Sequence, residues 1–168
     1  MQIRYICSDE ERRTDAVLSA VAEGAEDLGL RLCGTVQPVD RPDAGHCDIV
    51  LALLPDFQRR SISLELPPGT VGCRLDAGAL EQVVAEVQSR LEGAQALLVN
   101  KFGKQEAAGR ALVPVIGEAC ARGLPVLVGV APQWREAFLG FAGDAALPLP
   151  DDAGLALDWL RQSCLARI

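Results

Sequence analysis

The sequence predicts an α/β fold, a three-layer sandwich with a mainly parallel sheet. Short apolar segments alternate with amphipathic stretches of helical period along the chain, the signature of helices packed on a sheet. Two segments, AQALLVN and GLPVLVGV, are apolar almost without a break, as expected of strands covered on both faces. The 168 residues are 49% hydrophobic and 23% charged, close to the globular average. With no linker and no internal repeat, residues 1–168 are expected to form a single α/β domain.

MQIRYIC opens the chain as a short strand. A polar stretch from Ser8 to Arg13 leads into a helix over 14–30, where Val17, Leu18, Val21, Ala25 and Leu28 recur at helical spacing and Gly29 marks the stop. RLCGTVQ, DIVLALLP and SISLEL read as three strands. PVDRPDAGHC is long enough for a loop between the first two. DFQRR suits a hairpin between the others, which gives an antiparallel insertion near 48–66. PPGTVGCRLD is a Pro/Gly loop ending on Asp76, a good N-cap for a helix to Leu91 with Leu80, Val83, Val84 and Val87 on one face. AQALLVN is the next strand. A helical stretch follows over 105–122, and Pro114 must kink it or restart it. GLPVLVGV is again a strand, and Pro132 sits in the first turn of a short helix to Phe141. A last helix starts at Asp151 or Asp152 and carries Leu155, Leu157, Trp159, Leu160 and Leu165. In such sheets ligands bind at the carboxyl ends of the strands, here after Cys7, Asn100 and Val130.

Composition excludes several classes. A net charge of −7 and no run of more than two adjacent Lys/Arg argue against nucleic acid, which needs a basic face to release counterions. Aromatics at 4% leave little for stacking on single strands. LALLP and LPVLVGVA are too short to cross a bilayer, and MQIRYICSDEERR carries charge where a signal peptide needs an apolar stretch. No membrane insertion and a cytoplasmic location are expected. Six cysteines without a CxxC spacing are expected to be free thiols.

One local bias is sharper. Of the sixteen basic residues only Lys101 and Lys104 are lysine, and Asn100 is the sole asparagine. An Arg-, Ala- and Gly-rich chain suggests a high-GC genome, in which Lys survives best where Arg cannot replace it. These rare residues crowd into Asn100-Lys101-Phe102-Gly103-Lys104, at the end of a buried strand. NK there evokes the NKxD guanine-reading motif, but Gly103 stands where the Asp is required. The first strand-to-helix junction, CSDEERRTD, has no glycine and no GK[ST], so a Walker-type phosphate loop is excluded. It reads as a solvated loop in which Arg12 and Arg13 could supply charge and Asp9, Glu10 and Glu11 would repel phosphate. A GTPase is excluded with it.

What survives is an anion or ligand site. Lys101, Lys104, the Gly103 amide and the first turn of the following helix would form it, with Asn100, Gln105, Glu106 and Arg110 in the same segment. The alternative pairs Lys101 with a nearby carboxylate and Glu106 with Arg110. Arg74, in a glycine-bounded loop, could clamp an anion bidentately, and Gln37 ends a strand facing the same cleft or a simple turn. His46, Cys47 and Cys73 could hold a soft metal or an oxyanion; packed or loop cysteines are the other reading. One histidine supports no catalytic triad.

LLVNKFGKQEAAGRALVPVIGEACARGLPVLVGV, GHCDIVLALLP, ISLELPPGTVGCRLDAGALE and LRLCGTVQ together resemble a bacterial family of unknown function. Its members are often described as nucleoside-triphosphatase-like and often encoded near molybdate-transport genes. The resemblance covers nearly the whole chain. The family in turn is similar in element order to small P-loop nucleoside triphosphatases, whose Walker-B strand ends in a DEIGxME-like motif. Laid on that motif, VNKFGKQE puts Asn100 and Lys101 in place of the Asp-Glu pair, while Gly103 and Glu106 match. The resemblance therefore implies an NTPase-like core lacking the P-loop, a degenerate enzyme without catalytic residues and without Mg-ATP. Its ligand would be a small anion: molybdate or another oxyanion, or a phosphate-bearing nucleotide or cofactor. A role in molybdenum or metal homeostasis follows, with a homo-oligomer or a metal-handling protein as partner. The alternatives are a phosphatase or transferase of a phosphorylated small molecule, using Lys101, Arg74 and Glu106, or a structural partner in a metal-cofactor complex.

Overall fold

The computed structural model describes residues 2–10, 12–39, 49–71 and 74–167. Seven strands form one sheet: β1 (Ile3–Ile6), β2 (Leu32–Val36), β3 (Val50–Leu54), β4 (Gln58–Ser61), β5 (Ala96–Phe102), β6 (Val126–Val130) and β7 (Ala146–Pro148). Their spatial order is β4-β3-β2-β5-β6-β1-β7. β2, β5, β6, β1 and β7 run parallel, and the β3–β4 hairpin joins β2 antiparallel. The α/β class with a mostly parallel sheet and a hairpin insertion is the fold the sequence predicts.

Helices cover both faces because the central strands are apolar on both. α1 (Arg13–Asp27) and α6 (Ala153–Leu165) bury Val17, Leu18, Val21 and Leu160 against Ile6, Leu98 and Leu127. On the opposite face α2 (Ala77–Ser89), α4 (Val113–Ala121) and α5 (Arg135–Ala142) bury Val83, Ile116 and Phe138 against Leu97, Val99 and Val128. Phe138 packs edge-on to Phe102 with ring centres 5.2 Å apart, so the end of β5 is held by aromatic contact as well as by its ladder. Asp76 caps α2 through Ala79 N–H at 3.0 Å, and Asp152 caps α6 through Leu155 N–H at 2.9 Å, as their positions in the sequence predict.

Three details differ from the sequence reading, and a fourth, the break at Pro114, is as it expects. The hairpin's second strand is Gln58–Ser61, not SISLEL; of the latter, Ser63 forms only an isolated bridge to Leu75. β4 is an edge strand, so it needs no apolar face, and the hairpin is tied to α2 and its C-cap by ion pairs instead. Arg60 grips Glu86 of α2 at 3.0 and 3.1 Å, and Arg90 bonds Asp56 at 2.7 Å. β5 runs two residues past Asn100, through Lys101 and Phe102, with an irregular register between Val99 and Phe102. The helical stretch after it divides into α3 (Lys104–Ala107) and α4, which begins with Pro114 in its first turn. β7 is a three-residue edge strand whose sequence, ALP, carries no strand pattern.

The topology fixes where a ligand can enter. β1 leads into α1 on one face, whereas its neighbour β6 leads into α5 on the other. Adjacent strands whose connections diverge leave a crevice at their carboxyl ends. Among the described residues no helix is long and apolar enough to cross a membrane.

Candidate functional site

A cavity of about 190 Å³ occupies that crevice. The loop after β1 contributes Ser8, Asp9 and Glu10, the entry to α1 contributes Arg12, Thr14 and Asp15, β5 contributes Asn100 and Lys101, and Gly129 to Gln133 close it from β6. Arg12 takes a left-handed conformation (φ 61°) directly before α1, a shape that costs a non-glycine residue energy. Ser8 N–H donates to Thr14 Oγ1 at 3.3 Å, drawing the two ends of the loop together. The spacing is that of a phosphate loop: Cys7, Arg12, Arg13 and Thr14 fall where G-x-x-x-x-G-K-[ST] has Gly, Gly, Lys and Ser/Thr. Arg13 is drawn away, however. Its Nη2 donates to the Asp151 carbonyl at 2.9 Å, so the loop's cation in the cavity is Arg12.

Asn100 is 6% exposed. Its Oδ1 accepts a 2.7 Å hydrogen bond from Thr35 Oγ1, itself fully buried on β2. Asn100 Nδ2 has no protein partner among the described residues, and no wholly buried polar atom there goes unbonded. The amide nitrogen therefore opens onto the cavities that Asn100 lines. Lys101 is exposed and forms no ion pair among the described residues. Asp15 lies near enough to feel it. Burial pushes the Asp15 carboxyl above its usual range, and Lys101 and then Arg12 partly offset that.

A second cavity, about 250 Å³, lies on the other side of Asn100 and Lys101. Its walls are apolar: Ile49, Leu51, Ile62, Leu75, Leu80 and Leu112. Gln37, Gly103, Lys104, Gln105 and Glu106 complete the lining. Glu106 is buried, and its Oε2 accepts the Gly103 N–H at 3.1 Å, half of a capping box on α3. Burial raises the Glu106 pKa above the ordinary carboxylate value, against the lowering effect of the Gly103 hydrogen bond and of Lys101.

The site residues named from sequence thus separate. Asn100 and Lys101 form a ridge between the two cavities. Gly103, Lys104, Gln105, Glu106 and Gln37 belong to the apolar one alone. α3 has four residues, so it offers no helix dipole of note, and the Gly103 amide is occupied by Glu106. Glu106 caps its own helix instead of pairing with exposed Arg110, which lines neither cavity. Arg74 leads into α2, its carbonyl accepting Leu64 N–H at 2.6 Å, and also lines neither. His46, Cys47 and Cys73 lie outside the described residues. Among those described, Cys7, Cys33, Cys120 and Cys164 are free thiols, and no three His, Cys, Asp or Glu side chains gather as metal ligands. Ser8, Thr14, Asp15 and Gly129 were not singled out from sequence. The available signals were the eight-residue spacing from Cys7 to Thr14 and a lone glycine inside the strand VLVGV.

Fold and crevice define a doubly wound α/β protein whose open end lies where such folds take their ligands. The chain belongs to the family described as protein of unknown function (DUF2478), whose model matches residues 3–159. It is 32% identical over 158 residues to the molybdenum import ATP-binding protein ModC 2 of Bradyrhizobium diazoefficiens. That match covers 90% of this chain and 18% of the much longer ModC 2. Among solved structures it shares its fold with THEP1 from the hyperthermophile Aquifex aeolicus, with a TM-score of 0.64, 96% of each chain covered and 12% identity. The distant similarity to P-loop NTPase-like proteins that the sequence suggested is thereby found.

Proposed function

We propose that the protein is a non-hydrolytic binder of a small oxyanion or of a phosphate-bearing group, held in the polar cavity. The observation that carries this reading is Lys101, an exposed cation without an ion-pair partner among the described residues, on a cavity that also receives Arg12 and the Asn100 amide nitrogen. Magnesium does not fit the end of β5. Hard cations take oxygen ligands, commonly carboxylates, and the β5 residues that line the cavity, Asn100 and Lys101, offer an amide and an ammonium. Arg13, at the phosphate-loop lysine position, is turned toward Asp151. The similarity to ModC 2, named for molybdenum import, favours molybdate among the oxyanions and a place in molybdenum handling.

The test is thermal unfolding with molybdate, sulfate or phosphate, for the wild type, Lys101→Ala and Arg12→Ala. An anion at 100 times its dissociation constant stabilises by about 2.7 kcal/mol. The shift should appear in the wild type and shrink in both variants. No response to any anion, or equal responses in all three proteins, overturns the reading. Magnesium-dependent release of phosphate from ATP or GTP that disappears in Lys101→Ala would refute the non-hydrolytic part.

A further inference from the structure

The polar cavity has an unexpected charge balance: Asp9, Glu10 and Asp15 against Arg12 and Lys101. Three carboxylates facing two cations hold a bare anion weakly, because each carboxylate repels it over a few ångströms. Neither cavity reaches the roughly 300–1,000 Å³ of most small-molecule sites, but the two together do. They meet at Asn100 and Lys101 and nowhere else in their linings. Asn100 is more than nine-tenths buried and keeps an unpartnered amide nitrogen at this junction.

Resting on the anion reading above, we infer that the two cavities form one bipartite site for a heterocyclic organic phosphate. The phosphate lies beside Lys101 and Arg12, and the planar body crosses the ridge into the apolar cavity. Leu51, Leu80 and Leu112 would cover the faces of the ring, supplying binding energy that the mixed charges of the polar half do not. The amides of Gln37, Asn100 and Gln105 would read its edge, since a carboxamide pairs donor and acceptor with the in-plane groups of a heterocycle. Few polar groups on an apolar wall are the usual makeup of such a site.

Calorimetry tests the inference with inorganic phosphate, ribose 5-phosphate and three heterocyclic monophosphates (AMP, GMP and FMN) as probes. At least one heterocyclic monophosphate should bind tenfold or more tightly than inorganic phosphate and ribose 5-phosphate. Leu75→Trp, which fills the apolar half from a half-buried position, should bring its affinity down to that of phosphate while phosphate binding persists. Gln37→Ala, a change with little bearing on folding, should weaken the heterocyclic probe several-fold and leave phosphate unaffected; unfolding curves check that both variants are folded. If phosphate binds but no heterocyclic probe binds more tightly, the bipartite site is wrong and the anion reading stands. A heterocyclic probe that binds tightly yet ignores both variants overturns the placement of the ring. If no probe binds, the bipartite site is wrong, and the anion reading falls with it only if molybdate and sulfate also leave the wild type's melting temperature unchanged.

Discussion

At Glu106 a buried carboxylate performs a structural task beside a cation. Its Oε2 satisfies Gly103 N–H, and both residues are buried. Removing the acceptor strands a buried donor, at a cost of roughly 1–3 kcal/mol. Glu106→Ala should therefore lower the stability by about that amount in urea unfolding, whereas Glu106→Gln keeps an acceptor and should lose less. The pH dependence has a definite sign. Burial raises the folded-state pKa, so the folded protein holds the Glu106 proton more tightly than the unfolded chain. The stability this contributes is present below the unfolded value and is lost as pH rises through the folded one. Glu106→Gln should accordingly compare best with wild type at neutral pH and lose ground on acidification. A Gln variant as damaging as Ala at every pH would refute the capping role. Cys33 illustrates the opposite fate of a reactive group: its thiol donates to the Val87 carbonyl at 3.1 Å, and burial pushes its pKa up to about 11.

Two glycines control how closely elements approach, and they decide the shape of the site. A Cβ on Gly34 (φ 124°) would overlap the Leu98 carbonyl, so only glycine lets β2 lie against β5 there. A Cβ on Gly129 would overlap the Asn100 carbonyl and come within 2.7 Å of Leu18 and 3.0 Å of Thr14. Gly129 therefore sets the spacing of β5, β6 and α1 at the polar cavity. Gly129→Ala should cost about 1–3 kcal/mol through overpacking and weaken anion binding along with it. Gly117, in α4 with open space around its Cβ position, supplies the contrast: Gly117→Ala should stabilise by about 0.5–1 kcal/mol and leave binding unchanged. Unaltered anion affinity in a folded Gly129→Ala would show that this spacing does not matter. The same elements explain what was legible in the sequence. β5 and β6 stood out because strands buried on both faces must be apolar throughout, and Asn100-Lys101 stood out because the chain's only two lysines and its sole asparagine crowd together there. β4 and β7 did not, since edge strands take their place from pairing more than from burial. Ser8, Asp15 and Gly129 meet only because β1, β5 and β6 are neighbours, a relation created by strand order and invisible in local spacing.

On the scale of the whole molecule, an anion must approach a chain of net charge −7, and in the crevice it meets Lys101 and Arg12 beside three carboxylates. There the balance depends on protonation. Lys101 and Arg12 lower the Asp15 pKa, but burial outweighs them and leaves it raised. As pH falls from about 8 toward 4, Asp15 is the carboxylate of this cavity that burial drives to accept a proton early, and each proton taken up removes one repulsion from a bound anion. Sulfate is the suitable probe because its own charge is constant over that range. Its stabilising effect on the wild type should grow on acidification. In Asp15→Asn it should start near the wild type's acid value and vary less with pH. For a chain of this length 1 kcal/mol corresponds to roughly 2–4 °C, so a saturating anion moves the melting temperature by several degrees, and the pH series is readable. Asp9, Glu10 and Glu106 are present in both proteins, so the difference between them isolates Asp15. Parallel pH profiles for the two would mean that Asp15 does not face the anion, and the charge balance assigned to the cavity would have to be redrawn.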